Sequence, residues 1–436
     1  METENLEEQE KCPEYPSKTD TQRHIYRRGI FSGVVGTLAV LAVLVITAGV
    51  TLHFKSGQRT ANEQMQAGIS GKNARETISS QAVEQKAGEI ADLIDEYYYE
   101  EIDQDALVDG MYAGMVNGLG DKYSTYMTAE EYSSFNDTTT GTYYGIGAVL
   151  TQDPDTNIVT ILHVYPGSPA EEAGVRDGDI IVKVEEIEGD SMELSELVKH
   201  IKGEEGTSVH LLLMREGESD YLEFDVQRRE IDVPTVEYEM LEGTNVGLIA
   251  ISEFAENTPE QFDAAIKDLQ KQGMESVVID LRDNPGGVLQ SVCKMLDQIL
   301  PEGLVVYTED KYGNRSDFQS DASCMDIPLA VLVNENSASA SEIFAGAIKD
   351  YKYGTLIGTT TFGKGIVQTI IPLDDKSAVK LTMAKYYTPN GNYIHGVGIT
   401  PDIELEYEYQ SPEDTVYDPM HDNQVLKAIE VLKKEQ

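Results

Sequence analysis

Cysteine and positive charge are both scarce in this chain of 436 residues. Three cysteines are too few for a disulfide framework, although a single Cys293–Cys324 bridge stays open because spacing alone does not decide it. Lysine and arginine total 33 against 77 aspartates and glutamates, so the formal net charge is −44. A chain this acidic repels phosphate, which excludes nucleic acid as a partner.

Long apolar runs are absent except for residues 29–54, which carry no charge. This run is long enough to cross the hydrocarbon core of a bilayer, which is about 30 Å thick. A cleaved signal peptide is the alternative, but the run is long for one and no clean cleavage site follows. Basic residues are more frequent before the run than after it, which places the N-terminus in the cytoplasm and the rest of the chain outside: Lys18, Arg23, Arg27 and Arg28 precede it, and Lys55 and Arg59 follow.

The rest of the chain divides by composition and periodicity. The polar, acidic start predicts a disordered tail, and alternating strands and helices in the last part predict a largely parallel sheet covered by helices. We therefore expect a cytoplasmic tail (1–28), a transmembrane helix (29–54), a stalk (55–81), a helical region (82–137), a β-rich module (138–230) and an α/β domain (231–436).

A serine at a strand-to-helix turn is the first candidate for chemistry. The apolar run 329–333 predicts a buried strand, and small residues then lead into a helix that ends near Tyr351. Such a turn lifts the hydroxyl of Ser339 toward solvent, and free N–H groups at the helix start can stabilise an oxyanion beside it. The alternative is a plain helix cap, in which Ser339 or Ser341 satisfies those N–H groups.

A lysine between two glycines is the second candidate. To act as a base near neutral pH, Lys364 must lower its pKa from ~10.4 by about three units, roughly 4 kcal/mol. Burial can supply that change, and Gln368, four residues further on in a predicted strand, can orient the amine. The alternatives are a solvated loop lysine and an ordinary strand amide.

A third candidate is the turn at residues 280–287, where two glycines allow backbone N–H groups to approach a substrate closely. The alternative is a tight strand-to-helix connection. Asp283 in this turn is also an acid, but no metal-ligand spacing surrounds it, so we expect no metal. Histidine is scarce outside the predicted membrane span, and only His395 competes with Lys364 as a base.

Together these motifs resemble the carboxy-terminal processing peptidases, also called tail-specific proteases. The resemblance extends from about residue 84 to the end of the chain. It depends on Ser-Ala-Ser-Ala-Ser-Glu at 337–342, Gly-Lys-Gly at 363–365, Arg-Asp-Asn-Pro-Gly-Gly at 282–287, the segment 118–126 and Gly-Ile-Thr-Pro-Asp at 398–402.

The resemblance implies an α/β fold: a crotonase-like protease core with an inserted PDZ domain, after an N-terminal helical region and a single transmembrane helix. It implies that Ser339 is the nucleophile, Lys364 the general base and Gln368 its positioning partner. Gly286 and Ala340 would donate N–H groups to the oxyanion, and no cofactor is expected.

The β-rich module is similar to a PDZ domain, which binds a peptide C-terminus by strand addition. The resemblance implies that Tyr144, Gly145, Ile146 and Gly147 form the carboxylate-binding loop and that Arg176 links peptide binding to the active site. The expected partners are proteins with exposed C-terminal tails, and residues 82–119 resemble a dimerising region, so a homodimer is a further expectation. Two other interpretations are a non-catalytic PDZ scaffold and an acyl-CoA enzyme on the same core fold.

Overall fold

The computed structural model describes residue 75, residues 78–410 and residues 417–435. The predicted tail (1–28), the predicted membrane span (29–54) and most of the predicted stalk (55–81) lie outside the described residues. Within the described ranges, no helix has the length and apolar character that a membrane crossing needs. The described chain divides into two compact units, one that ends at Leu107 and one that begins at Val108.

Two of the predicted N-terminal helices are present, each within two residues of the expected bounds. The first helix buries none of its residues, and it belongs to the unit that ends at Leu107. The elements are α1 (Gln81–Tyr97), α2 (Gln104–Asn117), β1 (Thr125–Met127) and α3 (Ala129–Thr140). Helix α3 was not predicted, because its sequence lacks an apolar period, and it depends on its caps: Thr128 and Glu131 form a capping box, and Gly141 ends the helix at φ 73°.

The PDZ-like module is a small antiparallel sheet with its own core. Its strands run in the order β3-β4-β5-β7-β8, β6 pairs with β5, and β2 pairs with β9. The module contains β2 (Thr142–Gly145), β3 (Ala148–Gln152), β4 (Val159–Val164), α4 (Pro169–Ala173), β5 (Ile180–Val184), β6 (Ile187–Glu188), α5 (Leu194–Ile201), β7 (Ser208–Met214), β8 (Leu222–Gln227) and β9 (Arg229–Asp232). Alternate residues of β4 and β7 point into the core with Leu197 of α5, which explains why the sequence pattern predicted these elements well.

The α/β domain contains two sheets. The larger has the order β10-β11-β12-β15-β16-β19 and is parallel except for β10; the smaller has the order β1-β18-β13-β14, with β17 paired to β18, and is antiparallel. The elements are β10 (Val236–Met240), β11 (Val246–Ile251), α6 (Thr258–Gln272), β12 (Ser276–Asp280), α7 (Leu289–Ile299), β13 (Gly303–Asp310), β14 (Arg315–Ser320), β15 (Leu329–Val333), α8 (Ala340–Tyr351), β16 (Thr355–Gly358), β17 (Ile366–Pro372), β18 (Ala378–Tyr387), β19 (Ile403–Glu404), a 3₁₀ turn (Pro419–His421) and α9 (Asn423–Glu435).

The parallel sheet is buried on both faces. Val331 of β15 packs with α6, α7 and α8, whereas its neighbours Ala330 and Leu332 pack with α9. This double covering explains why β15 is apolar at every position and was predicted with correct bounds. Cys293 packs against the first of these cores as a free thiol, and Cys324 is also free, so the bridge left open by the sequence is not formed.

The order of the parallel strands positions the site. β12, β15 and β16 are neighbours and run in the same direction, so the loops that follow them leave the sheet at one edge. Those loops contain the Gly286 turn, Ser339 and Lys364. The three candidate motifs, distant in sequence, therefore meet at the carboxyl ends of adjacent strands.

Candidate active site

Ser339 lies between β15 and α8, at the predicted strand-to-helix turn. Its backbone has φ 55° and ψ −111°, a strained conformation for a residue with a side chain. A serine held in this way on a sharp turn before a helix is typical of nucleophiles whose hydroxyl must face a substrate. The hydroxyl of Tyr386 donates to the Ser339 carbonyl oxygen (3.1 Å) and fixes the turn from below. Sequence reasoning did not single out Tyr386.

Lys364 lies in the turn between β16 and β17, and its side chain is half-buried. Burial lowers the pKa of its ammonium, which is the direction that the sequence argument required, and the nearby Lys380 ammonium lowers it further. The carboxylates of Glu342 and Asp121 partly oppose this change in the pKa. Nζ lies 5.2 Å from the centre of the Tyr123 ring. Within the described residues it forms no ion pair, and it does not share a hydrogen bond with Ser339 Oγ.

Glu342 joins the serine turn to the lysine turn. Its fully buried carboxylate accepts four hydrogen bonds. Oε2 accepts the N–H groups of Ser339 (2.9 Å) and Lys364 (2.7 Å). Oε1 accepts the Gly363 N–H (2.7 Å) and the Thr361 hydroxyl (2.6 Å). In the sequence, Glu342 is only the last residue of the motif at 337–342; its clamping role depends on contacts 19 to 22 residues away along the chain.

The Gly286 turn packs directly against the serine. A side chain at Gly286 would collide with Ser339 Cβ (2.7 Å) and the Ala340 nitrogen (2.8 Å), and its φ of 104° also favours glycine. The Gly286 N–H, however, donates to Asn284 Oδ1 (2.9 Å), so it is not free as expected. The N–H groups of Ala340 and Gly287 have no acceptor among the described residues. Gly287 is thus a free donor in this turn that sequence reasoning did not name.

Gln368 contacts the lysine only indirectly. We expected its side chain to orient the amine, but its Nε2 donates to the carbonyl oxygen of Tyr123. The Tyr123 ring in turn lies over the ammonium of Lys364. Gln368 therefore holds the loop between α2 and β1 against the site, and that loop covers the lysine.

The other polar residues near the site are occupied by structural contacts. His395 lies beside the lysine turn, where its Nδ1 accepts the Gly365 N–H (3.3 Å). Asp283 accepts hydrogen bonds from Asn334 (2.9 Å) and Asn336 (2.7 Å), which ties the glycine turn to the serine turn. Both side chains therefore stabilise the loops that carry Ser339 and Lys364.

The expected carboxylate-binding loop links β2 to β3. The carbonyl oxygen of Ile146 accepts the Ala170 N–H (2.9 Å), and that of Gly147 accepts the Tyr165 N–H (3.0 Å). Within the described chain, the N–H group of Ile146 has no acceptor, whereas that of Gly147 donates to the Tyr143 hydroxyl. Tyr144 at the start of the loop is exposed, and Gly145 pairs with Arg229 of β9. The loop thus offers one free donor of the kind that binds a carboxylate.

Arg176 is exposed, and its backbone N–H donates to Asp179 (2.9 Å). The arginine that stabilises the turn between Arg176 and Asp179 is Arg215. Its guanidinium binds the buried Asp179 carboxylate with two hydrogen bonds of 2.7 Å. Arg176 therefore keeps a side chain that is accessible to another part of the protein or to a ligand.

Comparison with known proteins agrees with this geometry. Sequence models of Peptidase family S41, of the activating protease CtpB N-terminal domain and of the PDZ domain match residues 245–405, 44–131 and 160–215. A probable CtpA-like serine protease of Staphylococcus aureus (strain MSSA476) is 34% identical over 94% of this chain and 79% of its own length. The corresponding protein of Staphylococcus epidermidis is 33% identical over 91% and 78%.

Among solved structures, the photosystem II D1 C-terminal processing protease is 28% identical, covering 79% of this chain and 92% of that one with a TM-score of 0.43. A putative S41 protease from Bacteroides fragilis is 17% identical, covering 78% and 93% with a TM-score of 0.48. From the identity and coverage of the staphylococcal relatives, this chain belongs to the C-terminal processing peptidases, a family of serine proteases, and it carries their PDZ domain.

Proposed function

We propose that this serine protease is a membrane-anchored, extracytoplasmic endopeptidase that cleaves with a dyad of Ser339 and Lys364. Ser339 Oγ attacks the scissile carbonyl carbon while its proton passes to Lys364 Nζ. The resulting ammonium then protonates the leaving amine, and an ester to Ser339 remains. Water, deprotonated by Lys364, hydrolyses that ester and restores the serine.

The Glu342 clamp is the observation that carries this proposal. One buried carboxylate fixes the backbone of both candidate catalytic residues, at Ser339 N (2.9 Å) and Lys364 N (2.7 Å). Burial also lowers the pKa of Lys364, which brings the neutral amine closer to the pH at which a base must act. An arrangement that serves only a scaffold has no need of a half-buried lysine without an ion pair among the described residues, on a turn joined by one carboxylate to that of a strained serine.

The oxyanion of the tetrahedral intermediate needs donors beside Ser339. The Ala340 N–H stands at the positive end of α8. The glycine turn supplies the second donor, either from Gly287 or from Gly286 after it exchanges its bond to Asn284 for the oxyanion. Two such donors are enough to stabilise the charge that develops on the carbonyl oxygen.

Recognition is proposed to occur at the PDZ domain. The free N–H group of Ile146, joined by that of Gly147 once it exchanges the Tyr143 hydroxyl for the ligand, would bind the C-terminal carboxylate of a protein, and the tail would add as a strand beside β3. The apolar run at residues 29–54 and the basic residues before it support an anchor with a cytoplasmic N-terminus. Digestion of intact cells with an external protease tests that orientation, because it should degrade the catalytic domain and spare residues 1–28.

The dyad is tested with Ser339→Ala and Lys364→Ala in the full-length protein. We expect each variant to lose at least about 10³-fold of the activity on an unfolded protein substrate, since neither group can act alone. Ser341→Ala is the matched control. Ser341 stands two residues away on the same turn, but its hydroxyl is spent on the Asn284 carbonyl oxygen (2.9 Å).

Full activity of either dyad variant contradicts the proposed mechanism. Labelling of wild-type Ser339, but not of the Ser339→Ala variant, by a serine-reactive fluorophosphonate separates an active enzyme from a non-catalytic scaffold. A substrate with an amidated C-terminus should be cleaved more slowly than its free acid, and equal rates would remove the PDZ domain from substrate recognition.

A further inference from the structure

Lys380 is a second lysine beside the candidate base, on strand β18. Its backbone is held from both sides, opposite Thr125 of β1 and opposite Ile370 of β17. The position at which its side chain leaves the sheet is therefore fixed by two strand pairings. The side chain is partly buried, and Nζ lies 5.3 Å from the centre of the Phe135 ring.

The strand register places Lys380 on the same face as the residues that surround Lys364. Side chains alternate along a strand, so Lys380 and Thr382 share a face. Gln368 of β17 is directly opposite Thr382 and is therefore a diagonal neighbour of Lys380. A side chain as long as that of lysine reaches a diagonal neighbour. Gln368 holds Tyr123, whose ring covers the ammonium of Lys364.

Lys380 has no counter-ion, although acids outnumber bases in this chain by 77 to 33. Among the described residues it forms no ion pair, and the ring of Phe135 occupies the place that a carboxylate often takes. An aromatic face favours the charged form of an ammonium without cancelling its charge, as an acid would. The arrangement therefore keeps an uncompensated positive charge close to Lys364.

We propose that Lys380 is a positioning residue for the Ser339–Lys364 reaction, which acts by holding Lys364 in its neutral, basic form through charge repulsion. The inference rests on the proposed function, because it matters only if Lys364 is the base. Burial lowers the pKa of both ammonium groups, and like charges in a partly buried site disfavour each other.

The other charged and titratable groups that face Lys364 act in both directions. From α8, Glu342 favours the ammonium, and from the loop before β1, Asp121 does the same while Lys122 opposes it. Tyr123 and His395 complete the surroundings. Among these groups, Lys380 is the charge with the largest effect on the pKa of Lys364.

The test is the pH profile of kcat/KM for the full-length protein and its Lys380→Met and Lys380→Arg variants. Activity requires neutral Lys364 and so rises with pH through the pKa of that residue. Loss of the Lys380 charge raises this pKa, so the rising limb of the Lys380→Met profile should move to higher pH. At pH 7 the kcat/KM of this variant should be about fivefold to tenfold below wild type, and at alkaline pH it should recover. Lys380→Arg keeps the charge and should keep the wild-type profile.

A second pair of variants supplies the missing counter-ion. Ile370 is directly opposite Lys380, so Ile370→Glu should pair with it and shift the limb to higher pH, whereas Ile370→Gln should not. Lys385 is an exposed lysine further along β18. The Lys385→Met variant is therefore the control for the general loss of a positive charge. Thermal unfolding of each variant separates a shifted profile from a damaged fold.

The outcomes distinguish the two proposals. An unshifted limb in Lys380→Met, or equal shifts in the Met and Arg variants, overturns the role of Lys380 while an inactive Lys364→Ala leaves the dyad intact. Full activity of Lys364→Ala overturns the dyad itself, whatever Lys380 does.

Discussion

The catalytic centre and the PDZ domain of this protein are held together by different kinds of contact. The side chains whose hydrogen bonds hold the candidate catalytic centre together are buried. Glu342 accepts four hydrogen bonds, and the Ser337 hydroxyl donates to the Leu281 carbonyl oxygen (2.7 Å). In the PDZ domain, apart from the buried Asp179–Arg215 pair, the ion pairs of the described residues are exposed or, for Lys202–Asp137, half-buried. Two of them connect α5 to α3, Lys199–Glu130 (2.6 Å) and Lys202–Asp137 (2.9 Å).

The difference reflects what each region has to do. Acyl transfer requires atoms held within a few tenths of an ångström, and a buried, fully bonded network supplies that rigidity. Exposed ion pairs contribute little free energy and are screened by salt, so a module held by them can be repositioned at small cost.

Replacing the buried clamp should have the largest effect. In Glu342→Gln the side-chain amide group faces two N–H donors instead of an oxygen, so two buried donors lose their acceptor. We expect the free energy of unfolding to fall by about 2–4 kcal/mol and the activity by at least about 100-fold. Chemical denaturation and kcat/KM measure the two effects.

Glu335→Gln is the matched control for the clamp. Glu335 also joins the serine turn to the lysine turn, through Thr359 (2.9 Å), but it is exposed. Its loss should change the free energy of unfolding by less than about 0.5 kcal/mol. Equal changes in the free energy of unfolding for Glu342→Gln and Glu335→Gln would contradict the distinction between buried and exposed contacts.

The burial of Lys364 should lower the free energy of unfolding of the protein at pH 7. Its folded-state pKa lies below that of the unfolded chain, so at pH 7 folding must either bury the charge or release the proton. Lys364→Met avoids this cost and should raise Tm at pH 7 by a few degrees. The gain should shrink as the pH approaches ~10.4, where the unfolded lysine is also neutral.

Thermal unfolding at pH 7 and at alkaline pH measures this gain. Lys385→Met, at an exposed site on β18, should show no comparable dependence on pH. A Lys364→Met variant that is less stable than wild type at pH 7 would mean that packing around the ammonium outweighs the cost of its burial.

The exposed Lys199–Glu130 pair and the half-buried Lys202–Asp137 pair should matter least. A Lys199→Gln/Lys202→Gln double variant removes both links between α5 and α3. We expect the free energy of unfolding to change by less than about 1 kcal/mol, and high salt to reduce the difference from wild type. A loss of several kcal/mol that persists in high salt would place these pairs in the same class as the Glu342 clamp.

Much of this arrangement was accessible from the sequence. Strands buried on both faces, such as β15, gave continuous apolar runs, and helices with an apolar stripe gave a clear period. Capping chemistry marked the start of α9, where Asp422 accepts the Gln424 N–H (2.8 Å) as expected. Helix α3 escaped prediction because its side chains are mostly polar and its evidence was only a capping box.

The sequence also indicated the candidate nucleophile, the candidate base and the glycine turn, because each needs a particular residue type at a local turn. It misplaced Gln368, whose partner is Tyr123, 245 residues away along the chain. It gave Gly286 a free N–H that Asn284 in fact accepts. Hydrogen-bond partners at such separations depend on side-chain directions that no local pattern encodes.

Local chemistry thus indicated which residues are candidates for the reaction, because a serine at a strand-to-helix turn, a glycine-flanked lysine and a glycine pair are visible in a few consecutive letters. The tertiary structure alone decided what holds them together and how basic the lysine is. A buried carboxylate, an aromatic ring and an unpaired lysine reach Lys364 from three separate segments, and both burial and Coulomb interactions depend on distance in space rather than along the chain.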